Sequence, residues 1–150
     1  MTATTRLSEL GIILPEAAAA VASYQPVVVS GSTAYVSGQL PFLDGELVTG
    51  RLGEDVTIEQ GIAAARACGL MILAQLAKAG LLDRVERILK LGAFISSTAA
   101  FIDQPKVANG ASDLMAEVFG EAGRHARSAV GVPVLPLGAA VEVDAIIQLA

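Results

Sequence analysis

From Val85 to Ser97, Val85, Arg87, Leu89, Leu91, Ala93 and Ile95 alternate with Ile88, Lys90, Gly92 and Phe94, the period of two that predicts a long β-strand. The preceding segment changes period. Ile58, Ile62, Ala65, Gly69, Ile72 or Leu73 and Leu76 fall on one face at helical spacing. Thr57 and Gln60 have the spacing of a capping box and Gly80 sits where a left-handed stop belongs, so a helix is predicted between them. Its small residues, Ala63 to Ala65, Ala67 and Gly69, suit close packing against a sheet.

The same reading extends both ways along the chain. Val27-Val28-Val29 and Ala34-Tyr35-Val36 flank Gly31-Ser32, whose chemistry suits a two-residue hairpin turn with a positive φ at its first position. Asp44-Gly45-Glu46 reads as a turn, with a short strand at 47–50 after it. A short helix near the start is expected, with Ser8 as cap and Gly11 as stop, and then Pro15-Glu16 and an alanine run toward Tyr24. After the long strand, Asp103 as cap, Pro105 in the first turn and Val107, Ala111, Leu114 and Val118 inward predict a second helix ending near Gly120 or Gly123. Strands at about Arg127–Val132 and Ala140–Leu149 complete the order β-β-(β)-α-β-α-β-β. With no internal repeat or linker, residues 1–150 form one α+β domain with both helices on one face of a mixed sheet.

Composition sharpens this picture. Hydrophobic residues make up 53% of the 150, mean hydropathy is +0.60 and only 17% are charged, more apolar side chain than one small core absorbs. The second sheet face is therefore expected to be covered by copies of the chain. A net charge of −5 supplies no electrostatic drive toward nucleic acid. The apolar stretch from Gly61 to Ala77 contains Arg66 and Gln75 and is short for a bilayer, so it reads as a buried helix and no membrane partner is expected. The N-terminus has no secretion-signal pattern and Cys68 stands alone, which suits the cytoplasm. One Cys and one His cannot build a Cys/His zinc cage, and the glycines spell neither nucleotide loop, so no metal and no cofactor are expected.

The candidate chemistry lies near the C-terminus. Arg127, in Arg127-Ser128-Ala129-Val130, and Glu142, in Val141-Glu142-Val143, lie fifteen residues apart on successive apolar segments. A guanidinium matches a carboxylate two-for-two and can orient a small acid, and a glutamate beside it could manage a proton or a water. An ion pair between neighbouring strands is the alternative.

Tyr24, then Ser37-Gly38-Gln39-Leu40-Pro41, a capped helix ending in Ala79-Gly80-Leu81, and Ala126-Arg127-Ser128 with Leu135-Pro136 and Val141-Glu142-Val143 follow in an order that resembles the RidA (YjgF/YER057c/UK114) family over nearly the whole chain. The resemblance implies a chorismate-mutase-like α+β fold, a homotrimer with a barrel-like centre and ligand clefts between subunits. It also implies cofactor-free hydrolytic deamination of small enamine or 2-imino acids. In that pattern Arg127 matches the arginine that binds the substrate carboxylate and Glu142 the acidic residue of the cleft, while Tyr24, Ser37 and Asn109 match substrate-binding residues. Asn109 is offset by about one residue from the usual spacing. The chain departs from the family in three places: Ala129 replaces a frequent cysteine, Ser23 a proline, and Arg124-His125-Ala126 a Phe-Pro-Ala segment. His125 can be read as a catalytic group or as a solvated loop residue, and Tyr24, Ser37 and Glu142 each as structural groups instead. The departures leave room for a non-catalytic module that binds a 2-oxo acid, while RNA cleavage, a label some relatives carry, fits the acidic charge poorly.

Overall fold

The computed structural model describes residues 1–20 and 22–150. Its elements are α1 (Ala3–Glu9), β1 (Val27–Ser30), β2 (Thr33–Gln39), β3 (Phe42–Leu43), β4 (Glu46–Leu47), α2 (Ile58–Lys78), β5 (Val85–Ser96), α3 (Gln104–Phe119), β6 (Ala126–Val132) and β7 (Val141–Leu149). Five strands form one sheet in the order β1-β2-β7-β5-β6, and β3 and β4 form a separate hairpin. Only β5 and β6 pair in parallel, joined by a crossover through α3; the other neighbours in that sheet are antiparallel.

The helices form where their end signals place them. At α2, Thr57 Oγ1 accepts from the Gln60 amide at 3.1 Å while the Thr57 amide donates to Gln60 Oε1 at 2.9 Å, the reciprocal capping box. Gly80, at φ +72°, ends the helix. The buried side of α2 includes Cys68, Ile72, Leu73 and Leu76, each wholly shielded from water. Each large aliphatic side chain there contributes roughly 1.5–3 kcal/mol of apolar burial. Along β7 the odd residues Val141, Val143, Ala145, Ile147 and Leu149 are buried against the helices. There α2 packs on β7 and β2, α3 packs on β5 and β6, and the two helices pack on each other.

At Gly110 of α3 the backbones of the two helices are in close contact. A Cβ there would drive into the carbonyl oxygen of Ile62 and crowd the Arg66 amide, so only glycine permits this crossing. The opposite sheet face carries Val28, Tyr35 and Val130, each about half exposed, with Phe94 and Ile146 partly so. Among the described residues nothing covers this apolar surface.

Several local expectations are corrected. The cap of α1 is Thr2, whose hydroxyl accepts from the Thr5 amide at 3.0 Å; Ser8 lies inside the helix. Asp44 and Gly45 do turn, both at positive φ, but the strand after them is Glu46–Leu47. Ile62 faces outward because Gly61, Ala64, Ala65 and Cys68 define the buried face of α2. Asp103 stands at the start of α3 without a side-chain capping bond; its carboxylate is 3.6 Å from Lys106 Nζ. In β5 the alternation slips: the pairing shifts register against β7 between Val85 and Arg87 and again between Ile88 and Lys90. Ile88 therefore joins Leu91, Ala93 and Ile95 in the core, and Leu89 is left half-exposed.

Candidate functional site

The sheet order places β5 between β6 and β7, so Arg127 and Glu142 are not on neighbouring strands, and the ion-pair alternative is excluded. They also point to opposite faces. Arg127 pairs in register with Leu91 and Leu91 with Ala145, both core residues, so its side chain leaves β6 on the helix side. Glu142 pairs with Phe94, and Phe94 with Val130, on the face without helices. The five residues expected at the site thus fall into two groups within one chain.

The first group lies between β6 and α3. Arg127 Nη1 donates to Asn109 Oδ1 at 2.8 Å and to Ser112 Oγ at 3.1 Å, and Nη2 donates to the Pro105 carbonyl at 3.3 Å. Pro105, Asn109 and Ser112 are one helical stripe, so successive turns of α3 present three neutral acceptors to the guanidinium. Five N–H groups are available and three are used, leaving Nε–H and a second Nη2 proton without partners among the described residues. Arg127 also borders a hollow of about 230 Å³ walled by Ser112, Asp113, Ala116, Arg124 and His125. His125 is half-buried there: Nε2 is 2.9 Å from Ser112 Oγ, and Nδ1 is 2.7 Å from the Gly123 carbonyl. It is not a solvated loop residue. Burial, reinforced by the charge of Arg127 and opposed by the Gly123 carbonyl, pushes its protonation below the usual histidine range.

The second group lies at the end of β2. The irregular step between Val36 and Gln39 lets Gly38 lie directly beneath Glu142, where a Cβ would be 2.7 Å from the carboxyl carbon. Tyr24, Pro26, Gly38, Gln39 and Gln75 border a cavity of about 100 Å³. Ser37 is close by, but its hydroxyl donates to the Gln25 carbonyl at 2.8 Å. Burial, and then repulsion from Asp144, raises the Glu142 carboxyl above its ordinary range. Asp144 is itself raised by burial, against the opposing effects of the Gly92 amide and Lys90; that amide donates to Asp144 Oδ1 at 3.1 Å.

Structure thus joins Asn109 to Arg127, adds Ser112 and His125 to them, and leaves Tyr24, Ser37 and Glu142 near the end of β2 with no contact among the three. Ser112 was missed by sequence reasoning, although Asn109-x-x-Ser112 at helical spacing and His125-x-Arg127 at strand spacing both signal convergence. No group of three or more His, Cys, Asp or Glu among the described residues is placed to hold a metal ion. A larger hollow of about 780 Å³ lies beside residues 13–19 and α2; Glu16, Asp44 and Lys78 are among its walls, and none of the residues expected at the site borders it. Helix α2 has the length and composition to cross a bilayer, yet 67% of its apolar window is buried, and it is the central core helix.

Residues 4–149 match the protein family described as "YjgF/chorismate_mutase-like, putative endoribonuclease". Protein TCP17 of Trypanosoma cruzi is 55% identical over 146 residues, covering 95% of this chain and 91% of its own. Among solved structures, a protein of Shewanella oneidensis MR-1 described as "a putative endoribonuclease" is 42% identical with TM-score 0.94, over 99% of this chain and 100% of that one. TdcF of E. coli, solved with bound serine, is 25% identical with TM-score 0.67, over 92% and 98% of the two chains. With nearly its whole length matched and its α+β fold shared, the chain belongs to the YjgF/chorismate-mutase-like family, the Rid group that its sequence resembles.

Proposed function

We propose that this protein is a cofactor-free hydrolytic deaminase of small 2-imino acids, working in clefts between the subunits of a homotrimer. The observation that carries the reading is the guanidinium of Arg127, held by three neutral acceptors with a donor-bearing edge still open. A carboxylate fits that edge through two parallel charge-assisted bonds, and the imine carbon is then held in a fixed direction. Glu142 lies on the other sheet face of its own chain, so the glutamate that completes a cleft comes from a neighbouring subunit. The uncovered apolar face supports such assembly. Serine bound in TdcF is a small amino acid of the same general kind.

Hydrolysis of a protonated imine asks little of the protein. Water's oxygen bonds to the electrophilic carbon while Glu142 takes one water proton and passes it to the nitrogen; as the C–N bond breaks, the hydroxyl left on carbon gives its proton to Glu142 and becomes the carbonyl, and the departing ammonia takes up that proton as ammonium. The products are a 2-oxo acid and ammonia. A carboxyl raised by burial is a stronger base than an exposed one, which suits Glu142 to this role.

The test couples a threonine dehydratase, which supplies 2-iminobutanoate, to ammonia release. Arg127→Lys keeps the charge but loses the fork, so kcat/KM should fall about 10- to 100-fold, the worth of a charge-assisted pair of roughly 1.5–3 kcal/mol. Unchanged deamination in Arg127→Lys and Arg127→Ala would overturn the reading.

A second reading, a module that holds a 2-oxo acid without catalysis, is favoured by one observation: Asn109 and Ser112 hold the Arg127 guanidinium on a single chain, while Glu142 is on the other sheet face of that chain. Tight 2-oxo acid binding with no acceleration of imine hydrolysis would select it. Ribonuclease action, named for relatives, has a net charge of −5 against it.

A further inference from the structure

For the neutral ring, the contacts around His125 have one consistent direction. The Gly123 carbonyl can only accept, so its 2.7 Å contact places a proton on Nδ1. In the neutral ring Nε2 then carries a lone pair and accepts from Ser112 Oγ–H at 2.9 Å. The serine has a single proton, so the oxygen that faces Arg127 Nη1 at 3.1 Å is an acceptor. Every bond in the series Arg127 Nη1–H to Ser112 Oγ–H to His125 Nε2 runs the same way. Asn109 and Pro105 fix the rest of that end of the guanidinium.

Resting on the reading of Arg127 as a carboxylate anchor, we propose that Ser112 and His125 are positioning residues whose hydrogen-bond chain aims the guanidinium and makes its grip on an anion respond to protonation of the single histidine. The family resemblance does not account for this pair, because His125 stands where the usual segment has no histidine. The sign follows from the chain. Protonation puts a donor on Nε2, turns the Ser112 proton away, and sets a second positive charge beside Arg127. An anion in the 230 Å³ hollow is then held more tightly, and by linkage the anion favours the protonated ring.

Other charges face the ring from each neighbouring element. Arg124, on the segment of His125 itself, is paired with Glu121 at 3.2 Å, and Arg87 of β5 donates to the Arg124 carbonyl at 3.3 Å. Asp113 walls the same hollow from α3, where Lys106 and Glu117 also lie. Histidine ordinarily changes charge between pH 5 and 8, and burial, with the charge of Arg127 added, moves the change of His125 toward the acid side of that window, where the response is expected.

Because the chain has one histidine, its ring signals in 15N-resolved spectra need no assignment. The wild type should show the neutral Nδ1–H tautomer at pH 7, and Ser112→Ala should mix the two tautomers, while Ser112→Thr preserves one. Pyruvate, which stays ionised throughout, serves as the probe in calorimetric titrations from pH 8 to 5. Its affinity for the wild type should rise about threefold as the ring protonates, the effect of one added charge at ~7 Å in water-like screening. That rise should vanish in His125→Gln and weaken in Ser112→Ala. An Nε2–H tautomer in the wild type, or the same slope in His125→Gln, overturns the proposal alone. Failure of the wild type to bind pyruvate at any pH overturns the carboxylate reading, and this proposal with it.

Discussion

Replacing Gly38 with alanine should separate the position of Glu142 from the stability of the fold. The new methyl would be 2.7 Å from the carboxyl carbon, and 2.9 Å from Cγ and Oε2. To reach the 3.4 Å of ordinary contact the carboxylate must retreat by roughly 0.7 Å. The obstruction is the far end of a partly exposed side chain, not backbone, and Gly38 has no positive φ, so alanine adds little backbone strain. Unfolding free energy should therefore change by less than about 1 kcal/mol. Catalysis is less tolerant, because a displacement near 1 Å can cost about 100-fold when one group must direct a water. Deamination of 2-iminobutanoate measured beside urea unfolding gives both numbers from one preparation. Unaltered kcat/KM in a well-folded Gly38→Ala protein would refute a role for the Glu142 carboxylate at its observed place.

Gly110→Ala should act in the opposite sense, since its methyl meets the Ile62 carbonyl and Arg66 amide, which cannot step aside. A loss of about 2–3 kcal/mol, and a melting temperature lower by about 5–10 °C in calorimetry, is expected. Glu142 and Asp144 have carboxyls raised on folding, so the folded chain holds more protons than the unfolded one between their ordinary and raised values. Stability should accordingly fall as pH rises through that window, and urea titrations of Asp144→Asn should show a flatter slope. Removing Asp144 also takes away a like charge, so the acid limb of the kcat/KM profile should move to lower pH in the same variant.

Much of the architecture could be read where the local chemistry has one solution. Thr57, Gln60 and Gly80 bound α2 as expected, and Gly31 at φ +59° turns the first hairpin as its sequence requires. The β5 phase was hidden because a bulge adds a residue without altering composition, and alternation counted along the chain cannot register it. The α1 cap was misplaced because Thr2 and Ser8 carry the same capping chemistry, and only the docked helix distinguishes them. At the candidate site the residues were legible but their arrangement was not. Fifteen residues between Arg127 and Glu142 say nothing of β5 entering between their strands, since that depends on the parallel crossover through α3.

The opposed orientation of Arg127 and Glu142 has a genetic consequence. In the proposed ring each working cleft borrows one wall from each of two chains, so a solitary subunit would be inert. Two defective alleles, one lacking the arginine and one the glutamate, would complement: random co-assembly rebuilds about a quarter of the clefts with both walls intact. Damage to a single copy would then spread to neighbours that carry no lesion themselves.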